Sequence, residues 1–124
     1  MNSSIVFATE MKERTKQFSL RVIRLFRTLP KTEEARILGK QLLRSATSVG
    51  ANYRAACRAR SDNEYYSKLC IVVEESDETM FWLELLIESK IFESERLQPL
   101  LNEAEELTKI FASSRSKLKI NKVS

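Results

Sequence analysis

The sequence predicts an all-α protein: an up-down antiparallel four-helix bundle over residues 1–112, followed by a basic, flexible tail over residues 113–124. Three observations predict it. The 124 residues include only two glycines and two prolines, so chain reversals are few and the elements long. Four segments carry apolar residues at spacings of three, four and seven, the signature of a helix with one buried face. The breaks between them are short and carry helix-capping chemistry, which makes successive helices antiparallel neighbours. Hydrophobic residues make up 43% of the chain, enough to fill one core in a chain of single-domain length.

The first helix is expected over residues 9–29, with Phe7, Met11, Phe18, Val22, Leu25 and Leu29 along one face and Pro30 ending it. Thr32 is the expected N-cap of the second helix, with Glu33 and Glu34 near the positive end of its dipole, and that helix is expected to run to Arg60. "SDNE", residues 61–64, is a capping box that starts a third helix reaching Ile91. Its core stripe is Tyr65, Leu69, Val72, Ser76, Met80, Leu83 and Ile87. Ser94 is the expected cap of a fourth helix, which buries Leu97, Leu100, Leu101, Ala104, Leu107 and Phe111.

Two of these helices carry more surface than one bundle can bury. In "RSATSVGANYRAACRARS", residues 44–61, the face with Leu38, Leu42, Ala46, Val49, Tyr53 and Ala56 makes the core. The outer face holds Arg36, Lys40, Arg44, Arg54 and Arg58, yet between Arg44 and Arg54 it carries only Thr47 and Ala51, beside Ser48 and Ala55. A solvated face would be filled with long side chains. This thin waist predicts close packing on a second side, with close approach offsetting the roughly 1 kcal/mol that Gly50 costs relative to Ala inside a helix. On the third helix, Ile71, Phe81, Trp82 and Leu85 point away from the core stripe among Glu74 and Glu78. An apolar patch with Trp and Phe marks an interface. The expected subunit interface is therefore Thr47, Ala51, Arg54 and Arg58 against Ile71, Glu74, Glu78, Phe81, Trp82 and Leu85.

The net charge of +4 conceals a division. Residues 1–60 hold 13 Lys or Arg against 4 Asp or Glu, whereas residues 61–112 hold 4 against 13. The two halves could neutralise each other, or the basic half could face a polyanion. For the second case the expected contacts are Lys16, Arg24, Arg27, Arg36, Lys40 and Arg44, concentrated near the turn at Pro30. Chemistry is tightly bounded. With no histidine anywhere, histidine-dependent triads, histidine zinc sites and Glu-x-x-His diiron sites are excluded. Glu74/Glu78 and Glu84/Glu88 are carboxylate pairs of a kind common on solvated helices. No glycine-rich phosphate loop can be built from two glycines. No enzyme activity, metal or cofactor is expected. Two cysteines, Cys57 and Cys70, no membrane-length apolar run and no basic region ahead of the N-terminal apolar patch suit a reduced, cytoplasmic setting.

The stretch "LGKQLLRSATSVGANYRAACRARSDNEYYSKLCIVVEESDETMFWLELL" resembles the four-helix bundle proteins encoded in intervening sequences of bacterial 23S ribosomal RNA, and within that family the accessory variability proteins of diversity-generating retroelements. The likeness rests on Gln41, Arg44, Ser45, Ser48 and Asn52, then Glu64, Lys68, Leu69, Glu75, Glu78, Trp82 and Glu84. It spans roughly residues 10–112. Where many family members read Asn-Ile-Ala-Glu-Gly, this chain reads Asn52-Tyr53-Arg54-Ala55-Ala56, losing an acid and gaining a base. The resemblance implies a homopentamer around a central channel, and a basic surface that engages RNA, DNA or a reverse transcriptase partner. The leading expectation is thus a non-enzymatic oligomer that binds nucleic acid; the alternative is a protein-binding scaffold with no nucleic-acid role.

Overall fold

The computed structural model describes residues 3–118. Four helices follow one another: α1 (Ser3–Thr28), α2 (Glu33–Ala56), α3 (Asp62–Glu88) and α4 (Ser94–Ser116). Each packs on its chain neighbours, and α4 returns to close the ring against α1. The up-down antiparallel four-helix bundle expected from the sequence is the fold.

The caps account for the boundaries. Thr32 accepts the Ala35 N–H at the start of α2, and Ser61 accepts the Glu64 N–H at the start of α3, so both N-caps are in place, though the Glu64 carboxylate faces Arg60 rather than completing a capping box. Several ends differ from expectation, beginning with α1, which starts at Ser3 rather than Thr9. Helix α2 stops at Ala56 rather than Arg60, because the Arg58 and Ala59 N–H groups turn back onto the Ala55 and Ala56 carbonyls and free the chain to reach Ser61. Helix α3 stops at Glu88, past which Lys90 takes the left-handed conformation (φ 60°). A lysine gives no sequence signal for that turn, since glycine usually fills it. Helix α4 starts at Ser94 itself, after a Glu93 cap without a side-chain bond, and runs through residues 113–116 of the expected tail to Ser116. Leu118 then packs against the core. The remainder of that tail, residues 119–124, lies outside the described residues.

The core is built largely as the spacings predict for α1 and α4, while on α2 the expected Leu42, Ala46, Val49, Tyr53 and Ala56 are joined by Ala35, Gly39 and Ser45, and Leu38 is only half-buried. Met11, Phe18, Val22, Leu25 and Leu29 are buried from α1, with Phe7 at the half-buried end, and all six expected α4 residues are buried. The α3 stripe is broader than expected. Leu69, Val72, Ser76 and Leu83 are buried, but so are Thr79 and Leu86, while Tyr65, Met80 and Ile87 are only half-buried. Helix α3 packs against both α2 and α4, so two adjacent stripes are covered rather than one. Thr79 enters that core with its hydroxyl satisfied, donating to the Glu75 carbonyl at 2.7 Å and meeting Ser45 Oγ at 2.9 Å.

The two glycines do different work. A Cβ on Gly39 would lie 2.6 Å from Leu29 Cδ1 and 3.2 Å from the Phe26 ring, so this residue lets the end of α1 close onto α2. A Cβ on Gly50 would lie 3.5 Å from Thr15 and Ser19, an ordinary contact. The neighbour at the waist is thus α1 of the same chain, and it does not require a glycine there.

Candidate functional site

The cations of α1 and α2 fall into two groups. Arg14 and Arg44 are held by carboxylates across helix pairs. Arg14 donates to both Glu103 oxygens, at 2.7 and 2.8 Å, and reaches Glu106 at 3.0 Å, tying α1 to α4. The Glu103 hydrogen bonds, together with the charge of Glu106, hold the Arg14 guanidinium well above its ordinary value despite partial burial. Arg44 joins α2 to α3. Its Nη1 meets Glu75 at 3.0 Å and its Nη2 donates to Glu78. Burial works against the Arg44 charge, but the two carboxylates outweigh it and raise its pKa. Arg44, expected to contact nucleic acid, is paired with two α3 carboxylates within its own chain.

That ion pair belongs to a longer chain of contacts. Gln41 accepts weakly from Arg44 Nε at 3.4 Å, and the Trp82 indole N–H donates to Glu78 at 2.9 Å. Beneath them lies the buried Ser45–Thr79 bond. Phe81 sits edge-on to Trp82, ring centroids 5.0 Å apart, and is 50% exposed. Ile71 and Glu74 are also exposed, whereas Trp82 and Leu85 are half-buried. The outward face expected on α3 therefore exists, but Glu78 is already engaged within its own chain.

The other cations are differently placed. Of the 13 Lys and Arg in residues 1–60, only Arg14, Arg44 and Arg60 meet a carboxylate among the described residues. Lys16, Arg24, Arg27, Arg36 and Lys40 are exposed, the last four flanking the α1–α2 turn. Arg54 and Arg58, expected at a subunit interface, lie on one rim of a groove between α1 and α2, facing Lys12 and Lys16 on the other. Lys12 was not singled out from the sequence, although it stands one turn before Lys16. Ala51 is exposed on the floor of that groove, and Thr47 is half-buried with its hydroxyl bonded to the Leu43 carbonyl.

At the end of the bundle where α2 gives way to α3, the Tyr53 hydroxyl is buried without a hydrogen-bond partner. Burial, then the nearness of Cys57 and Tyr65, pushes its pKa far up, yet neither neighbour satisfies it at hydrogen-bond geometry. No group of three or more His, Cys, Asp or Glu gathers among the described residues, and none of their helices is long and apolar enough to cross a membrane.

Comparison with known proteins places this arrangement. The family model for the 23S rRNA-intervening sequence protein matches residues 8–113. The chain belongs to that family. A solved structure of an S23 ribosomal protein family member of unknown function from Bacteroides thetaiotaomicron superposes with a TM-score of 0.80 at 34% identity, covering 86% of this chain and 98% of that one. No curated protein matches the chain. The family pattern quoted from the sequence falls largely on the α2–α3 seam. Gln41, Arg44, Glu75, Glu78 and Trp82 form one network, and Ser45 lies beneath it, while Asn52 bonds to Ser48 along α2. Most of this family member's unpaired cations lie outside that pattern.

Proposed function

We propose that this family member is a non-enzymatic accessory protein that assembles as a homo-oligomer, a pentamer by resemblance, and binds RNA or DNA through the basic faces of α1 and α2. One observation carries the reading. Of 13 cations in residues 1–60, ten have no carboxylate partner among the described residues, although 13 acids follow in residues 61–112. Within one chain only Arg14, Arg44 and Arg60 pair with the acidic half, so most of the basic layer is left for a polyanion. Contacts would go to phosphates and be largely independent of sequence. Within the family we place the chain with the accessory variability proteins of diversity-generating retroelements, with a reverse transcriptase as its protein partner; a reverse transcriptase gene beside its own would support that placement.

The exposed Phe81 and Ile71 on α3 favour a second reading, a protein-binding scaffold without nucleic acid. Salt dependence separates the two. One phosphate contact per subunit in a ring of five gives a log–log slope of roughly 3 or steeper, since each contact adds about 0.7 on single strands and 0.9 on duplex DNA. Neutralising Arg24, Arg27 and Lys40 should reduce binding while the oligomer survives. No binding to RNA or DNA at about 50 mM salt would refute the nucleic-acid reading and leave the scaffold.

A further inference from the structure

Four of the unpaired cations converge. Lys12 and Lys16 stand one turn apart on α1, and Arg54 and Arg58 one turn apart on the antiparallel α2. Between the two pairs, Gly50 and Ala51 leave room for a groove of about 770 Å³. Glu13 is the one carboxylate on its wall, and it accepts a hydrogen bond from Gln17 at 2.8 Å. Within the chain, the thin waist of α2 thus borders a cationic groove beside α1.

We propose that this groove seats the sugar-phosphate backbone of a nucleic-acid duplex. The proposal rests on the nucleic-acid reading above and deepens it by naming the site and the form of the ligand. The lining sets the form. No aromatic ring is among the lining residues to stack an unpaired base, and the exposed Phe81 stands on α3. No amide side chain lines it to read a base edge, and the Thr9 and Thr15 hydroxyls donate to carbonyls of their own helix. Proteins that hold single strands combine a cationic groove with stacking rings, and only the first component is present. Such a groove takes phosphates on a shape the strand already has. Two cationic rims suit a backbone carrying a charge on every nucleotide. On α3, Glu78 is already bound by Arg44 and Trp82, while Glu74, Asp77 and Glu88 stay exposed, so the oligomer arm of the test below distinguishes a neighbour's α3 from a nucleic acid.

Cys57 lines the groove and serves as a reporter, while Cys70 on α3 is an internal control. The test uses the full chain with a mixed-sequence DNA duplex and one of its single strands. The duplex should bind more tightly than the single strand, and saturating duplex should slow thiol labelling of Cys57 several-fold while leaving Cys70 unchanged. Lys12→Gln/Lys16→Gln and Arg54→Gln/Arg58→Gln should each weaken duplex binding about tenfold or more and lower the salt slope by about 1.8 per engaged subunit. Light scattering should show an unchanged oligomer. Unaltered affinity and slope in both double variants, with Cys57 still reactive at saturation, would overturn the groove while the wider function stands. Loss of the oligomer at unchanged affinity would make the groove a contact between copies. A wild-type chain that binds no nucleic acid would remove the proposed function and the groove together.

Discussion

Replacing each glycine by alanine gives a sharp test of what the waist of α2 does. Both substitutions sit inside the same helix, so each gains the same intrinsic term, about 1 kcal/mol. That term cancels in the difference and leaves the steric one. At Gly50 the new methyl meets Thr15 and Ser19 at 3.5 Å, so Gly50→Ala should stabilise the fold by about 0.5–1 kcal/mol. In a chain of this size that raises Tm by roughly 2–5 °C. At Gly39 the methyl would lie 2.6 Å from Leu29 Cδ1 and 3.2 Å from the Phe26 ring, inside a buried corner. Overpacking of that kind costs about 1–3 kcal/mol, so Gly39→Ala should be less stable than Gly50→Ala by that amount. Urea denaturation at two protein concentrations a hundredfold apart reads both quantities. A Gly50→Ala protein destabilised by about 1 kcal/mol or more, with a loss that grows on dilution, would refute the reasoning. It would mean that a neighbouring subunit packs on the waist and that the groove is closed in the assembly.

Three further outcomes follow from the same geometry. Arg44→Ala should cost about 1–2 kcal/mol, chiefly because Glu75, whose side chain is only 16% exposed, loses its partner; adding Glu75→Gln should recover about half, as a double-mutant cycle in urea would show. Tyr53→Phe should be neutral or stabilising by up to about 1 kcal/mol, because the hydroxyl it removes is buried and unpartnered. The folded state holds the Tyr53 pKa above the unfolded value of about 10, so its contribution is complete below that pH and falls as pH rises beyond it, by about 1.4 kcal/mol per pH unit. Urea midpoints between about pH 8 and 11 should therefore drop more steeply for the wild type than for Tyr53→Phe. Trp82→Ala should weaken self-association by about 2 kcal/mol and make the denaturation midpoint more concentration-dependent; a loss of stability independent of concentration would assign the ring to its own bundle.

The fold was readable because most of its determinants are local. Helical spacing named the buried faces of α1, α2 and α4, and Thr32 and Ser61 announced two starts through side chains that reach only three residues along the chain. Two helix ends were hidden for the same reason. Lys90 adopts a glycine-like turn without being glycine, and the end of α2 is set by the turn at Cys57–Ala59 rather than by any breaker. The site was harder because it depends on which charges meet. Arg44 and Arg54 look alike in sequence, both on the outer face of α2. They stand ten residues apart, about 15 Å along the helix, and only the first reaches the α3 carboxylates. Gly39 drew no notice beside the small-residue run at Gly50, yet it is the glycine a side chain cannot replace without displacement.

The distribution of paired and unpaired charge separates what the family likeness reports from what this chain does. Gln41, Arg44, Glu75, Glu78 and Trp82 span the seam between α2 and α3, and each makes a contact that fixes one helix on the other. A protein sharing that pattern shares the seam, and hence the bundle, whatever else it binds. Arg54 stands where the family's common Asn-Ile-Ala-Glu-Gly run would place an alanine, and the acid that would follow it is replaced by Ala55. That exchange adds a cation to the rim facing Lys12 and Lys16 and removes a nearby carboxylate that could have neutralised it. Restoring the acid by Ala55→Glu leaves the α2–α3 network untouched. On the proposed function it should lower nucleic-acid affinity without changing the fold, and an affinity unchanged by Ala55→Glu would show that the missing acid does not set the charge of the basic face.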